Sequence, residues 1–331
     1  MNKEQSYGFT VLVITYNPIW EKLKMTLDSI LLQTYAEYEV VIADDGSKNS
    51  LAEKVEAYFA EKNFSRYTYI LNKQNQGTIK NLISGIEKAR GKYIRAIGPG
   101  DLLYAEDTLA KIYQFMEERR CEAAFGLMYG YHMDASNRVL VHPYTFPFDI
   151  DVYRKFDKKK IARNLVLFAD NVSGAAMCYS KEFILPYFRE IAAGVTYLED
   201  VYQVMAAVDG KYLQFYDDYL IWYESNTGVS TSGNSGFRKL LMKDRENFFT
   251  MLQEKYSDDP LVKKRKKLDF AYRIDNPYIR VLAMALVTPS VLLWTCSHYL
   301  QVAIGKYNGK QKDGFLLQEE FLSEVEKENG N

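Results

Sequence analysis

Carboxylates at the ends of apolar runs are the residues of this sequence best placed to do chemistry. The stretch Tyr93 to Tyr104 begins as an apolar strand, breaks at Gly98-Pro99-Gly100, sets one carboxylate at Asp101 and resumes with Leu102-Leu103. A short apolar run closed by turn residues is the pattern of a buried parallel strand, and open α/β sheets bind ligands just beyond the carboxyl ends of such strands. Asp101 stands where a ligand-binding carboxylate is expected, although Pro-Gly-Asp is also ordinary turn chemistry. The arrangement recurs. Thr15-Tyr16-Asn17 follows the run Thr10 to Ile14, Asp44-Asp45-Gly46-Ser47 follows Glu39 to Ala43, and Asn75-Gln76-Gly77 follows Tyr67 to Leu71. Taken alone, Asp44-Asp45-Gly46 is a tight turn leading to a helix cap at Ser47 or Ser50. Farther on, Glu199-Asp200 opens a helical segment, a position where the helix dipole stabilises acidic residues whatever their use.

Helical patterns separate these strands: Trp20 to Gln33, Leu51 to Lys62, Ile79 to Arg90 and Asp107 to Arg119. Strand–helix alternation predicts an α/β domain with a doubly wound, mostly parallel sheet, which would gather the polar clusters on one edge. No G-x-G-x-x-G is present, so a dinucleotide fingerprint is not supported. The middle of the chain is less regular. A strand over Ala123 to Met128 leads into a hairpin through His142, and Asp149 to Lys160 is charged and reads as surface. Val172 to Tyr179 reads as a strand, Lys181 to Ile191 and Val201 to Val208 as helices, and Tyr212 to Tyr216 and Tyr219 to Tyr223 as two short strands. Beyond the loop Ser225 to Gly236 come an amphipathic helix, Phe237 to Tyr256, and a basic run, Lys263 to Lys267. Ile279 to Ile304 is the most apolar stretch, and a charged tail follows from Lys306, with a short helix expected over Phe315 to Val325.

At 331 residues, 47% hydrophobic and 26% charged, the chain is globular, one large domain with an appendage. A net charge of −1 argues against nucleic acid as a partner. Cys121, Cys178 and Cys296 share no metal-ligand spacing, and their odd number suits a reducing compartment. The three histidines lack paired spacing, which argues against a His-based metal site or triad; His132 and His142 read as structural or surface. Met1 to Tyr7 is polar and offers no signal peptide, so the start reads as cytoplasmic.

In order and spacing, TVLVITYN, VVIADDGS, NQGTIKNLISGIEKARGKYI with GPGDLL, and YLEDVYQVMAAVDGKY resemble the blocks of family 2 glycosyltransferases, over about Phe9 to Val229. The resemblance implies the GT-A fold and inverting transfer of a sugar from a nucleotide-diphosphate donor, with UDP the expected carrier. It assigns Thr15, Tyr16 and Asn17 to the nucleotide pocket, Asp44 to contact with the base, with Asp45 beside it, and Lys80-Asn81 to the neighbourhood of the nucleotide. It makes Asp200 the general base that takes the proton of the acceptor hydroxyl, with Glu199 as its orienting neighbour. The loop Ser225 to Gly236, with Trp222-Tyr223, falls where relatives carry a mobile loop near the diphosphate; a plain linker is the other reading. The family's Asp-x-Asp-Asp block is reduced here to Gly98-Pro99-Gly100-Asp101. Asp101 is then the single candidate ligand for Mg²⁺ or Mn²⁺, an arrangement such ions accept beside phosphates.

The resulting expectation is a GT-A-type catalytic domain over 1–232, with a nucleotide half near 1–128 and an acceptor half near 129–232, and a helical C-terminal region over 233–331. The acceptor would be a hydroxyl of a cell-surface glycan or a lipid-linked molecule, reached from the inner face of the plasma membrane. Ile279 to Ile304 is long enough to span a bilayer. Pro289 and the polar interruptions favour helices lying in the interface, with peripheral contact through 263–304; a helix pair packed onto the domain or onto a second subunit is the other reading. The alternative is a non-catalytic partner that binds nucleotide-sugar, motivated by Gly98 and Gly100. A nucleotidyltransferase would need a glycine-rich basic loop after the first strand, and TYNPIW supplies none.

Overall fold

The chain is described by a computed structural model that covers residues 7–133, 139–144, 147–225, 235–272, 274 and 276–303. Its first part alternates strand and helix: β1 (Tyr7–Thr15), α1 (Trp20–Leu31), β2 (Tyr38–Asp44), α2 (Ala52–Glu61), β3 (Tyr67–Leu71), α3 (Thr78–Lys88) and β4 (Gly91–Ile97). β1 pairs in parallel with β2 on one side and β4 on the other, and β2 pairs with β3. Successive side chains of a strand point to opposite faces, and both faces are covered. Phe9, Val11, Val13, Val40 and Ile42 meet Leu23, Leu27, Val55 and Phe59 of α1 and α2. Leu12, Val41 and Ala43 meet Ile79, Leu82 and Ile86 of α3. That double burial is why these strands are apolar throughout rather than alternating.

A buried polar knot fixes the spacing of the three central strands. Glu39, 1% exposed, accepts the Thr10 hydroxyl at 2.8 Å and the Arg90 Nε at 2.8 Å. Thr10 in turn accepts the Gly91 N–H at 2.9 Å. β4 enters so close to β1 that a Cβ at Gly91 would lie 2.2 Å from the Thr10 nitrogen and 2.4 Å from the Phe9 carbonyl carbon.

The second part comprises β5 (Leu102–Leu103), α4 (Thr108–Arg119), β6 (Ala123–Met133), β7 (Val139–Tyr144), α5 (Ile150–Arg154), α6 (Lys158–Arg163), β8 (Met177–Ser180), α7 (Lys181–Ile191), α8 (Tyr202–Val208) and β9 (Gln214–Glu224). The sheet runs β3-β2-β1-β4-β8-β6-β9-β5, with β7 attached to β6. It is the expected α/β, GT-A-type, mostly parallel sheet, with β5, β7 and β8 joining antiparallel. Several local expectations differ from what forms. Gly174–Ala176 is a 3₁₀ turn, and only Met177–Ser180 of the expected 172–179 strand pairs. The two short strands expected over 212–223 are one strand, since β9 passes Asp217-Asp218 without turning and absorbs the irregularity as a register shift against β6. The charged stretch 149–160 forms α5 and the start of α6, and it buries Val152 and Tyr153.

Four helices complete the described chain: α9 (Ser235–Lys255), α10 (Pro260–Tyr272), α11 (Pro277–Val287) and α12 (Pro289–Ala303). They are docked on the sheet's helical layer, with Phe248, Leu252, Val262, Leu268, Met284 and Val291 in the same core as α3 and α7. The basic run lies within α10, where Arg265 is buried, bonded to Asp269 at 2.7 Å and to the carbonyls of Val166 and Leu167. The apolar stretch is two helices broken at Thr288-Pro289, and among the described residues no helix is long and apolar enough to cross a membrane.

Gly91→Ala is expected to lower stability by about 1–3 kcal/mol or more, since the methyl meets backbone that cannot move aside. Urea unfolding with an unchanged m-value would check it; a wild-type midpoint would contradict the close approach.

Candidate active site

Three loops at the carboxyl ends of β1, β2 and β3 are laced together by their own polar groups. Asn17, in the left-handed region at φ 45°, accepts the Lys48 N–H at 3.0 Å through its side chain and donates its N–H to Ser47 Oγ at 2.6 Å. Asn tolerates this backbone better than most residues. Asp44 is wholly buried: Oδ1 accepts the Ser47 N–H at 2.9 Å and Oδ2 the Tyr69 hydroxyl at 2.8 Å. Asp45 reaches the third loop, accepting the N–H groups of Gln76 at 3.0 Å and Gly77 at 2.8 Å. Gly46, at φ 77°, makes this approach possible, since a Cβ there would stand 2.6 Å from the Gln74 carbonyl carbon. Asn81 is buried and tied to the Ala43 carbonyl at 2.8 Å and to Asn72 at 3.0 Å. Within this lacework some groups are left available. Tyr16 is 47% exposed, Lys80 faces solvent, and the Thr15 Oγ1, though buried, has no hydrogen-bond partner.

Asp101 sits at the end of a turn fastened from three sides. The Thr26 hydroxyl of α1 donates to the Asp101 carbonyl at 2.8 Å and accepts the Gly100 N–H at 2.9 Å. The Tyr131 hydroxyl donates to the Gly100 carbonyl, and the Glu224 N–H at the end of β9 donates to Asp101 Oδ1 at 2.9 Å. Burial pushes the Asp101 carboxyl up to about 7, against the pull of the Glu224 N–H and the Arg95 guanidinium. The two glycines leave room for acidic groups. A Cβ at Gly98 would stand 3.6 Å from Asp101 Oδ2, and one at Gly100 would collide with Glu224 Oε2 at 2.2 Å. Glu224 is paired with Lys22 at 2.6 Å. Arg95, beneath this turn, is fully buried with Nε and Nη2 unpartnered, and burial lowers its pKa.

Glu199 and Asp200 form a 3₁₀ turn, Glu199–Val201, leading into α8. Both are deep in the protein while solvent still reaches them, and burial raises both carboxyls, Glu199 further through the charge of Asp200. The segment before them touches the β3–α3 loop directly. Thr196 accepts the Ile79 N–H at 3.1 Å, and its methyl occupies the space beside Gly77, where a Cβ would lie 2.2 Å away. At the other end, Glu199 Oε1 fills the space beside Gly174, 2.4 Å from where a Cβ would be. Gly174 opens the 3₁₀ turn that precedes β8 and packs against the end of β4, from which Asp101 follows. The structure thus strings Asp45, Gly77, Thr196, Glu199, Gly174 and the Asp101 turn along one sheet edge.

The sequence gives no sign of what holds this segment. Asp244, buried on α9, accepts the N–H groups of Thr196, Tyr197 and Leu198 on one oxygen, at 3.0, 2.6 and 3.2 Å. Glu224 and Arg95 carry no signal in the sequence either: Glu224 reaches Asp101 through the pairing of β9 with β5 and β6, and Arg95 is a charge inside the buried strand β4. Residues 226–234 of the expected mobile loop, the side chains of His132 and His142, and the tail helix over 315–325 lie outside the described residues. Trp222 packs on Tyr104 at 5.2 Å. Among the described residues, no group of three or more His, Cys, Asp or Glu is gathered as a metal site.

Comparison with known proteins agrees with this architecture. Residues 10–183, just over half of the chain, match the family described as Glycosyl transferase family 2. The chain is 30% identical to glycosyltransferase GlyG of Streptococcus pneumoniae over 128 residues, 39% of this chain and 41% of that one. It is 27% identical to a PGL/p-HBAD biosynthesis glycosyltransferase of Mycobacterium bovis over 175 residues, 53% of this chain and 64% of the relative. The match therefore spans less than two thirds of these relatives' own length. The fold is similar to mannosyltransferase PcManGT of Pyrobaculum calidifontis, solved with GDP-Man and Mn²⁺ (TM-score 0.53, 16% identity, covering 90% of this chain and 82% of that one). It is also similar to S. aureus TarS 1-349 in complex with UDP-GlcNAc (TM-score 0.51, 14% identity, covering 84% and 80%).

Asp244→Ala is expected to lower stability by roughly 1.5–3 kcal/mol, the worth of hydrogen bonds to a charged acceptor. Asp244→Asn, which keeps an acceptor oxygen, should lose less. Equal midpoints in urea for all three proteins would show that the grip is not made.

Proposed function

The chain belongs to glycosyl transferase family 2, and from that premise we propose that it moves a sugar, with inversion, from a UDP-linked donor to a hydroxyl of a cell-surface glycan or lipid-linked acceptor. The sugar would be a hexosyl or N-acetylhexosaminyl group, and the catalytic unit 1–232 with its helical region 233–331. One observation carries the reading: the segment holding Glu199 and Asp200 packs on Gly77 of the β3–α3 loop, so the base and the nucleotide loops border one cleft.

In this reading Tyr16 packs on the nucleoside and the unpartnered Thr15 hydroxyl bonds it. Asn17, Asp45 and Asn81 keep the loops in shape, and Lys80 meets the phosphates. Asp44 reads the base. A carboxylate has about four acceptor sites and Ser47 and Tyr69 take two, but Asp44 is wholly buried, so contact with the base requires the Tyr69 side of the pocket to open. Asp200 takes the proton of the acceptor hydroxyl as its oxygen attacks the anomeric carbon opposite the diphosphate. Glu199, whose carboxyl is raised by burial and by the charge of Asp200, is the orienting neighbour of that carboxylate.

The family commonly uses a divalent cation, and the Asp101 turn fits one as a single-ligand site. Asp101 Oδ1 is engaged by the Glu224 N–H, while Oδ2 borders the space left open by Gly98. When bound, Mg²⁺ or Mn²⁺ would offset the charge on the departing diphosphate, with most of its other ligands from the donor and water. The relatives are split over the carrier, TarS being known with UDP-GlcNAc and PcManGT with GDP-Man and Mn²⁺. A second reading, a non-catalytic nucleotide-sugar-binding subunit, draws on Gly98 and Gly100, which stand where the family has acidic residues.

Asp200→Asn should reduce transfer by about 10²- to 10⁴-fold while UDP still raises the melting temperature. Retained transfer would remove Asp200 from the mechanism, and wild-type UDP binding without transfer to any acceptor would favour the second reading. A nucleotide thermal-shift screen should rank UDP above GDP; the reverse order would overturn the UDP assignment. The pH profile follows from the buried pair. A base must be unprotonated, so kcat/KM falls as pH drops through the pair's titration, and burial sets that limb above the ordinary carboxylate value of about 4. A limb at or below that value would contradict it.

A further inference from the structure

Eight of the fourteen large apolar side chains standing out into solvent among the described residues fall between Phe270 and Leu300. Scattered singly, such residues need no account; gathered on adjoining helices, they mark a contact surface. α11 and α12 bury Met284 and Val291 in the core that also receives Val262, Leu268 and Ala271 of α10. All three helices therefore lie with one face on the domain and the opposite face turned away from it. On α11 the outward positions include Tyr278, Ile279, Leu282 and Leu286, one turn apart, with Tyr278 85% and Leu286 80% exposed. On α12 they include Leu293 and Leu300, two turns apart, at 72% and 63%. The outward face of the neighbouring α10 has a different chemistry: Lys263, Lys266 and Lys267, with Phe270 a turn further on.

We propose that this face docks on an anionic lipid bilayer, with α11 and α12 lying in the interface and the α10 lysines among the headgroups. An apolar stripe bordered by lysines and an aromatic ring is the make-up of a helix that lies in a membrane surface. Over the described residues α12 is 15 residues long and rises about 22 Å, short of the roughly 30 Å of hydrocarbon. Charge selects the bilayer over a second copy of the chain. The strip that α10 offers is basic, and acidic headgroups complement it, whereas the apolar face of a second copy brings no acidic partner for it. Lys263 stands 3.3 Å from Asp258, an exposed pair that leaves the strip basic. This docking goes beyond the sugar-transfer reading and requires none of it.

The test is co-sedimentation of the full chain with vesicles of phosphatidylcholine alone or mixed with phosphatidylglycerol, with light scattering for its mass in solution. The wild type should sediment with the anionic vesicles only and be released by salt, each Lys→Gln change at 263, 266 and 267 weakening binding roughly fivefold. A triple variant, Leu282→Glu, Leu286→Glu and Leu293→Glu, should stay in the supernatant at an unchanged melting temperature, since these side chains support no core. The proposal is overturned if the wild type ignores anionic vesicles or if the leucine variant still binds them. A wild-type dimer that the leucine changes dissolve would also overturn it and give this face to a second copy.

Discussion

One oxygen of Asp244 accepting three successive backbone N–H groups is the contact on which the geometry of the cleft depends. Left alone, Thr196 to Leu198 would be a connection between α7 and a short turn, free to lift its two following carboxylates away from the sheet edge. An anionic acceptor satisfies three donors that would otherwise need water, and hydrogen bonds to a charged group are the stronger kind. With the segment fixed, Thr196 seats against Gly77 and Glu199 against Gly174, and neither site has room for a side chain. α9, which supplies Asp244, is therefore part of what shapes this edge of the sheet.

Electrostatics work in the same direction. Burial raises the carboxyls of Asp101, Glu199 and Asp200 alike, since it disfavours the charged form. The fully buried Arg95 beneath the Asp101 turn partly offsets that effect at Asp101 alone. An ionised carboxylate held away from water costs more than one in solvent, which is the physical source of these shifts.

The parallel half of the sheet was legible because β1, β2 and β4 are buried on both faces and all four strands end in turn residues, so apolar runs and polar clusters mark them. The same clusters pointed to Asp44, Asp45 and Asp101, which do stand at strand ends on one edge. What stayed hidden depends on contacts distant in sequence. Asp244 lies in KDREN, indistinguishable from a solvated helix face, and Arg265 in KKRKK reads as surface until the carbonyls of Val166 and Leu167 are seen above it. Asp217-Asp218 reads as a turn, yet pairing with β6 holds β9 straight through it.

Hydrogen exchange of the full chain with and without UDP tests most directly whether one cleft joins these groups. The account predicts slowed exchange together at Asp44–Ser47, Gln76–Gly77, Gly98–Asp101 and Glu199–Val201. Protection of the nucleotide loops with Glu199–Val201 unchanged would contradict it.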